Sequence, residues 1–243
     1  MTTQRPRYVA CLLLTLLAFS GCERGADEQA KASLRSGFWT AHITLPGGNI
    51  DTGFEISHDG KKHQASFVSG RERFRVGNVQ FTDNILVMSF PEFGNEIRAR
   101  LDDDSLSGEL TLSTGDDGHE SMPFTATHGS VSDDPQSGGS SMDLSGRWNV
   151  EFEEQDGTTT SSVVEFAQRG SRLFGTFVNP DSEYRFLAGH VRGSRFKLSA
   201  FDGANAYLFA GTIDGNRITD ADFWSGTHWH QRWSAARISK TSR

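Results

Sequence analysis

Cysteine is nearly absent from this chain of 243 residues: there are two, Cys11 and Cys22, and none follows residue 22. From Glu23 onward the sequence therefore holds neither a disulfide framework nor a Cys-x-x-Cys redox site. Proline is scarce at six against 26 glycines, a balance that points to many tight turns. Basic residues are in deficit, with 24 Lys and Arg against 31 Asp and Glu and a net charge of −7. No Lys/Arg cluster offsets that surplus, and such a surface repels nucleic acid and anionic headgroups. The sequence also lacks a Gly-x-Ser-x-Gly elbow and a His-Glu-x-x-His helix, which removes two well-marked routes to hydrolysis.

What is present begins at the N-terminus. Arg5 and Arg7 precede an apolar run from Tyr8 to Phe19, which ends at Ser20-Gly21-Cys22. The run is too short for a membrane-spanning helix, and the order basic, apolar, small is that of an export signal. The segment ending in Cys22 resembles a bacterial lipobox, with Phe19 where Leu is usual. The resemblance implies removal of residues 1–21, a diacylglycerol on the Cys22 thiol and acylation of its new amine. Glu23, rather than Asp, then implies sorting to the outer membrane, facing the periplasm. The leader carries two of the basic residues, so without it the charge falls to about −9 and attachment rests on the acyl chains.

Residues 22–36 read as the acylated Cys22 and a polar tether, and residues 129–143 as a flexible Ser/Gly/Asp linker. The blocks on either side of that linker, 37–128 and 144–238, align as copies, with residues 239–243 as a tail. Ser36-Gly37-Phe38-Trp39 matches Ser145-Gly146-Arg147-Trp148, and Ser66-Phe67-Val68 matches Thr176-Phe177-Val178. Phe74-Arg75-Val76 matches Tyr184-Arg185-Phe186, Phe90 aligns with Phe201, and Phe124-Thr125-Ala126-Thr127 matches Trp233-Ser234-Ala235-Ala236. The offset stays between 109 and 112.

Each block reads as all-β. Trp148, Val150 and Phe152 alternate with Arg147, Asn149, Glu151 and Glu153, and Trp39, Ala41, Ile43 and Leu45 repeat the pattern. Turn signals such as Asp156-Gly157, Gly193-Ser194, Asp202-Gly203 and Asp214-Gly215 divide the second block into eight short strands, and the first block is divided likewise. The expected fold is two tandem eight-stranded antiparallel up-and-down barrel-like domains, lipocalin- or avidin-like, because closure removes both sheet edges. A two-sheet sandwich is the alternative. Strands this short leave interiors that aromatic side chains can fill.

In the second block Gly175-Thr176-Phe177, Glu183-Tyr184-Arg185-Phe186-Leu187, Leu198-Ser199-Ala200-Phe201-Asp202-Gly203 and Ala206-Tyr207-Leu208-Phe209 follow in order. With Trp224-Ser225-Gly226-Thr227 and Trp233-Ser234-Ala235-Ala236-Arg237, this pattern resembles the β-rich domain preceding the thioredoxin fold in some TlpA-like disulfide reductases. The resemblance covers about residues 145–238, and no thioredoxin segment follows it in this sequence. It implies an accessory domain and a separate thioredoxin-like partner in the periplasm, but not reductase activity.

Three features carry candidate chemistry. His228-Trp229-His230 places two imidazoles on one strand face, as a metal site would, but Trp229 shares the core phase, so both His point outward and no metal is expected. Asp102-Asp103-Asp104 lacks the spaced oxygens of a calcium loop and reads as a charged turn. Phe201-Asp202-Gly203-Ala204-Asn205 reads either as a ligand loop or as a plain turn with Phe201 plugging the barrel end. In an up-and-down barrel, alternate hairpins gather at the end opposite the termini. That end brings together Asp156, Asn179, Asp202, Asn205, Trp224 and His228. The expected ligand residues are Tyr184, Asp202, Asn205, Trp224 and His228, for a small apolar or aromatic ligand, with no cofactor. The Gly-x-Trp opening, here Gly146-Arg147-Trp148, also occurs in lipocalins and avidins, and its plain reading is a Trp closing the barrel's other end. The leading expectation is a lipid-anchored binding or interaction module without catalysis. The alternatives are an accessory to thiol–disulfide chemistry and a hydrolase or isomerase working at a barrel mouth.

Overall fold

A computed structural model describes residues 33–69, 72–115, 118–129, 142–178 and 183–239. Cys22, the leader and Asn179 lie outside the described residues, as does most of the linker segment. The fold is all-β and antiparallel throughout. The first half comprises β1 (Gly37–Leu45), β2 (Gly48–His58), β3 (His63–Ser69), β4 (Glu72–Arg75), β5 (Asn78–Thr82), β6 (Ile85–Phe90), β7 (Asn95–Asp102), β8 (Ser105–Gly115) and β9 (Gly118–His128). The second comprises β10 (Gly146–Glu153), β11 (Thr159–Arg169), β12 (Arg172–Val178), β13 (Glu183–Arg192), β14 (Arg195–Phe201), β15 (Ala206–Asp214), β16 (Arg217–Ser225) and β17 (Trp229–Arg237).

The second half is a closed up-and-down barrel in which each strand pairs with its sequence neighbours and β10 pairs with β17. In β10 the buried residues are Trp148, Val150 and Phe152, with charged or polar residues between them facing solvent. Aromatic rings fill the interior. Phe177, Phe209 and Phe223 stack at centroid separations of 4.3 Å, and Trp233, Phe152 and Phe196 close around them.

The first half follows the same path but opens in one place. Its sheet has nine strands in the order β4-β3-β2-β1-β9-β8-β7-β6-β5, so the two edge strands are neighbours in sequence. In the second half a single strand, β13, closes the ladder, because Ala188 to His190 pair with both β12 and β14. In the first half the corresponding stretch is broken. Val76 turns its side chain into the core and donates its N–H to Ala65 O (2.9 Å), ending the β3 pairing. Gly77 then passes so near Pro91 that a Cβ would lie 2.7 Å from its Cδ, and from Asn78 onward the chain pairs with β6 alone. A slot of about 580 Å³ lined by His63, Gln64 and Val76 to Val79 marks this seam.

The same tertiary contacts recur in both halves at the offsets seen in the sequence. Trp39 Nε1–H donates to Arg35 O (3.1 Å) and Trp148 Nε1–H to Leu144 O (2.9 Å). Thr52 Oγ1–H reaches Val68 O (3.2 Å), as Ser162 Oγ–H reaches Val178 O (3.0 Å). A side chain from the last strand caps each Trp: the His128 ring edge-on at 5.1 Å, and the Arg237 guanidinium 4.3 Å from the Trp148 ring centroid. Each Trp thus closes the terminal end of its half.

The halves are joined at the opposite end. Phe201, at the tip of β14, leaves its own barrel and enters the first half between Phe67, Phe74 and Phe90, at centroid distances of 5.1, 6.2 and 5.5 Å. Gly203 follows with φ of 88°, and a Cβ there would fall 2.8 Å from Phe90, so the loop fits only without a side chain. Asn95, 3% exposed, donates from Nδ2 to Gly203 O (2.8 Å) and Ala204 O (3.1 Å) while its Oδ1 accepts Ser113 N–H (2.8 Å). Its amide is fully used, as a buried polar group requires.

Trp148→Phe tests the end closure. It strands the buried Leu144 carbonyl, which costs about 1–3 kcal/mol. Urea unfolding should report a loss of that size, whereas an unchanged midpoint would remove the bond from the account.

Candidate functional site

The expected mouth residues are divided by the fold. Tyr184 stays with the second barrel's interior, its ring 5.0 Å from Tyr207 and 5.1 Å from Phe223. Burial, with the Glu154 charge behind it, pushes its phenol above the ordinary tyrosine value. Asp202 uses its carboxylate on its own turn, where Oδ1 accepts Ala204 N–H (2.9 Å) and Asn205 N–H (2.6 Å). Asn205 completes the turn by accepting Asp202 N–H at its carbonyl (3.3 Å). Trp224 lies over Gly47 of the first half, where a Cβ would meet its ring at 2.4 Å, and it stacks on His230 at 5.1 Å. His228 Nδ1 meets Glu120 Oε1 of the first half at 2.8 Å.

The plug reading of Phe201 needs one correction: it fills the end of the first half, not of its own barrel. Phe90 and Phe201 align in sequence, but they face opposite ways. Leu86, Met88 and Phe90 point into the first half, whereas Phe196, Leu198 and Ala200 fill the second and Phe201 points out of it. A shift of one residue reverses the face of a strand residue. Asp202, Trp224 and His228 accordingly belong to the joint.

Glu120 anchors the rim of that joint. Its side chain is 8% exposed, and Oε2 accepts both Thr227 N–H and Thr227 Oγ1–H at 2.6 Å. Burial pushes this carboxyl up, but the Thr227 bonds and His228 outweigh it, and the net effect is a pKa below the usual glutamate value. His230 pairs instead with Asp222 (2.8 Å). Among the described residues no three His, Cys, Asp or Glu side chains gather as a metal-ligand set.

The halves share a concave surface on their flank. The outward faces of β1 to β3 and of β12 and β13 bound a cleft of about 500 Å³, with Phe38, Thr40, His42 and Asp51 on one wall and Arg172, Phe174, His190 and Arg192 on the other. It continues into about 300 Å³ between Asp51, His190, Arg192, Arg195 and Lys197. Phe38 reaches across to Gly53, where a Cβ would come within 2.3 Å of its Cζ, so the glycine makes room for the end of the ring. Asp51 closes one end by meeting His42 Nδ1 and Lys197 Nζ, each at 2.9 Å, and Lys197 also donates to Asn49 O (2.7 Å). Chemically the cleft offers guanidinium and imidazole donors, hydroxyls and two half-buried aromatic rings.

Sequence reasoning did not single out these residues, nor Asn95 and Glu120. One signal was available: Phe38 and Phe174 are aromatics on the solvent phase of their strands, flanked by core residues Trp39 and Leu173.

No family model matches the sequence, and no curated protein matches it. Among solved structures it is similar to a protein of unknown function from the DUF3598 family of Nostoc punctiforme PCC 73102. The two are 12% identical with a TM-score of 0.31, over 84% of this chain and 96% of that one. A likeness this low carries neither fold nor function across.

The Glu120 latch has a definite pH sign. A carboxyl with a lowered folded pKa contributes stability that is present above its unfolded value, about 4.5, and is lost as pH falls through the folded value. Unfolding measured from pH 7 down to pH 3 should show this acid loss shrinking in Glu120→Gln relative to wild type. Identical pH profiles would remove the latch.

Proposed function

We propose that this protein is a lipid-anchored binding module facing the periplasm, without catalytic activity, and that it holds its ligand in the cleft between the two halves. The observation that carries the reading is that aromatic side chains fill the second barrel and the first half's end is plugged by Phe201, while both halves contribute to one flank cleft. Ligand sites are concave, partly apolar and carry a few convergent polar groups, which is the character of this lining. The anchor rests on the lipobox-like segment ending at Cys22, behind Arg5, Arg7 and the apolar run. The lining supports recognition over turnover: guanidinium, imidazole and aromatic faces orient a ligand, and the sequence carries no nucleophile elbow.

One experiment tests both parts. Native mass spectrometry of the protein purified from its own membrane, compared with its denatured mass, should show two increments. A covalent one that survives denaturation corresponds to acylated Cys22, and a stoichiometric one that denaturation releases corresponds to ligand. A bare native mass in preparations that retain the acyl groups would count against the binding reading. An unacylated Cys22 would remove the anchor.

A further inference from the structure

We infer that the open seam of the first half is a separate binding site, which takes the carboxyl-terminal end of an extended peptide.

The first observation is a strand edge left undefended. β4, on one side of the seam, carries the charged side chains Glu72, Arg73 and Arg75, a common protection of a free edge. β5, on the other, has neither charge nor proline over Asn78-Val79-Gln80-Phe81-Thr82. Register fixes which of its main-chain groups are free. The two-residue turn at Asp83 and Asn84, with φ of 51° and 61°, makes Thr82 and Ile85 a hydrogen-bonded pair. Bonding alternates along the strand, so Asn78, Gln80 and Thr82 bond to β6, while the N–H and C=O of Val79 and Phe81 point into the seam. On the facing strand Ala65 O takes Val76 N–H (2.9 Å), and His63, two residues back, turns its own main-chain groups to the same gap.

The second observation is a polar atom with no partner. His63 Nδ1 is buried without a hydrogen bond, and its ring lines the slot of about 580 Å³ between the two edges. An unsatisfied buried group in a cavity marks a place for a ligand atom. Burial, with the His58 ring 4.7 Å away, holds His63 below the ordinary histidine value, so the ring is neutral at neutral pH and Nδ1 can donate. The two imidazoles do not make a chelate. His58 Nδ1 accepts Gly60 N–H (3.1 Å), which places the hydrogen of the neutral ring on Nε2 and leaves no lone pair for a metal.

The third observation is the charge at the rim. Lys62 and Arg75 line the slot, and among the described residues neither meets a carboxylate; Arg75 donates to Gln64 Oε1 instead (3.0 Å). Asp59, the one acid in the lining, is spent on Lys61 N–H and Lys62 N–H (2.9 Å each) and on Gln64 Nε2 (3.1 Å). Alternating N–H and C=O groups along an edge are answered by another extended chain, and a simple ion would leave the carbonyls unanswered. Lys62, Arg75 and His63 Nδ1 then suit the terminal carboxylate of that chain.

Nuclear magnetic resonance on the full-length chain in non-ionic detergent tests this with a mixed-sequence pool of acetylated tetrapeptides, ending either in a free carboxylate or in an amide. Without peptide, the Val79 and Phe81 amides should exchange with water much faster than those of Gln80 and Thr82. The carboxylate pool should protect them and shift the His63 ring resonances. The amide pool should bind about tenfold more weakly, the worth of a charge-assisted hydrogen bond. Lys62→Gln combined with Arg75→Gln should remove that preference. Val79→Pro should abolish binding of both pools with native near-UV circular dichroism, because its N–H takes no part in the β6 ladder. Equal exchange of the four amides, binding of neither pool, equal binding of both, or a carboxylate preference that survives the double substitution would each overturn the inference. None of these residues lines the flank cleft, so failure here leaves the cleft reading standing.

Discussion

Burial of Phe201 among Phe67, Phe74 and Phe90 is the contact on which the rest of the structure depends. Fully burying a phenylalanine contributes about 1.5–3 kcal/mol, enough to matter against the narrow margin that keeps a domain folded. Around that ring the joint is specified rather than merely greasy. Asn95 reads the backbone of the incoming loop through two carbonyls, and Glu120 grips the neighbouring hairpin through Thr227 and His228. A buried amide with every polar atom paired selects one docking geometry, because a slipped loop would leave it unsatisfied.

That fixed geometry generates the cleft. Phe38, His42 and Asp51 face Arg172, His190 and Arg192 because the joint and the Lys197 bridge hold the two flanks opposite one another. Neither half could build this site alone. Filling the barrels with aromatic rings stabilises each half and, by the same packing, leaves the concave surface between them as the place for the proposed ligand. The seam at Val76–Gly77 belongs to the same design: the first half gives up a hydrogen-bonded closure, and the second half supplies the plug for its open end.

Much of the fold was legible in the sequence. The alternation of Trp148, Val150 and Phe152, the turn dipeptides and the repeat with its offset of 109 to 112 lead to paired barrel-like sheets because strand periodicity is local physics. The joint was hidden by a single step of register. Aligned with Phe90, Phe201 reads as part of its own barrel's end, and only the pairing of β14 with β15 shows that it faces outward. Trp224 and His228 lie at the end opposite the termini, but the sequence does not reveal that the other half of the same chain occupies that end. The cleft was harder still. Its lining depends on which residues lie opposite across adjacent strands, and its second wall comes from residues more than a hundred positions away.

The most direct test of this account is calorimetric unfolding of the full chain beside Phe201→Ala. If the plug couples the halves, the wild-type protein unfolds in one cooperative transition, and Phe201→Ala splits it into two as each half melts on its own. Two independent transitions in the wild type, unmoved by the substitution, would show that the halves are merely tethered, and both the joint and the cleft it creates would have to be abandoned.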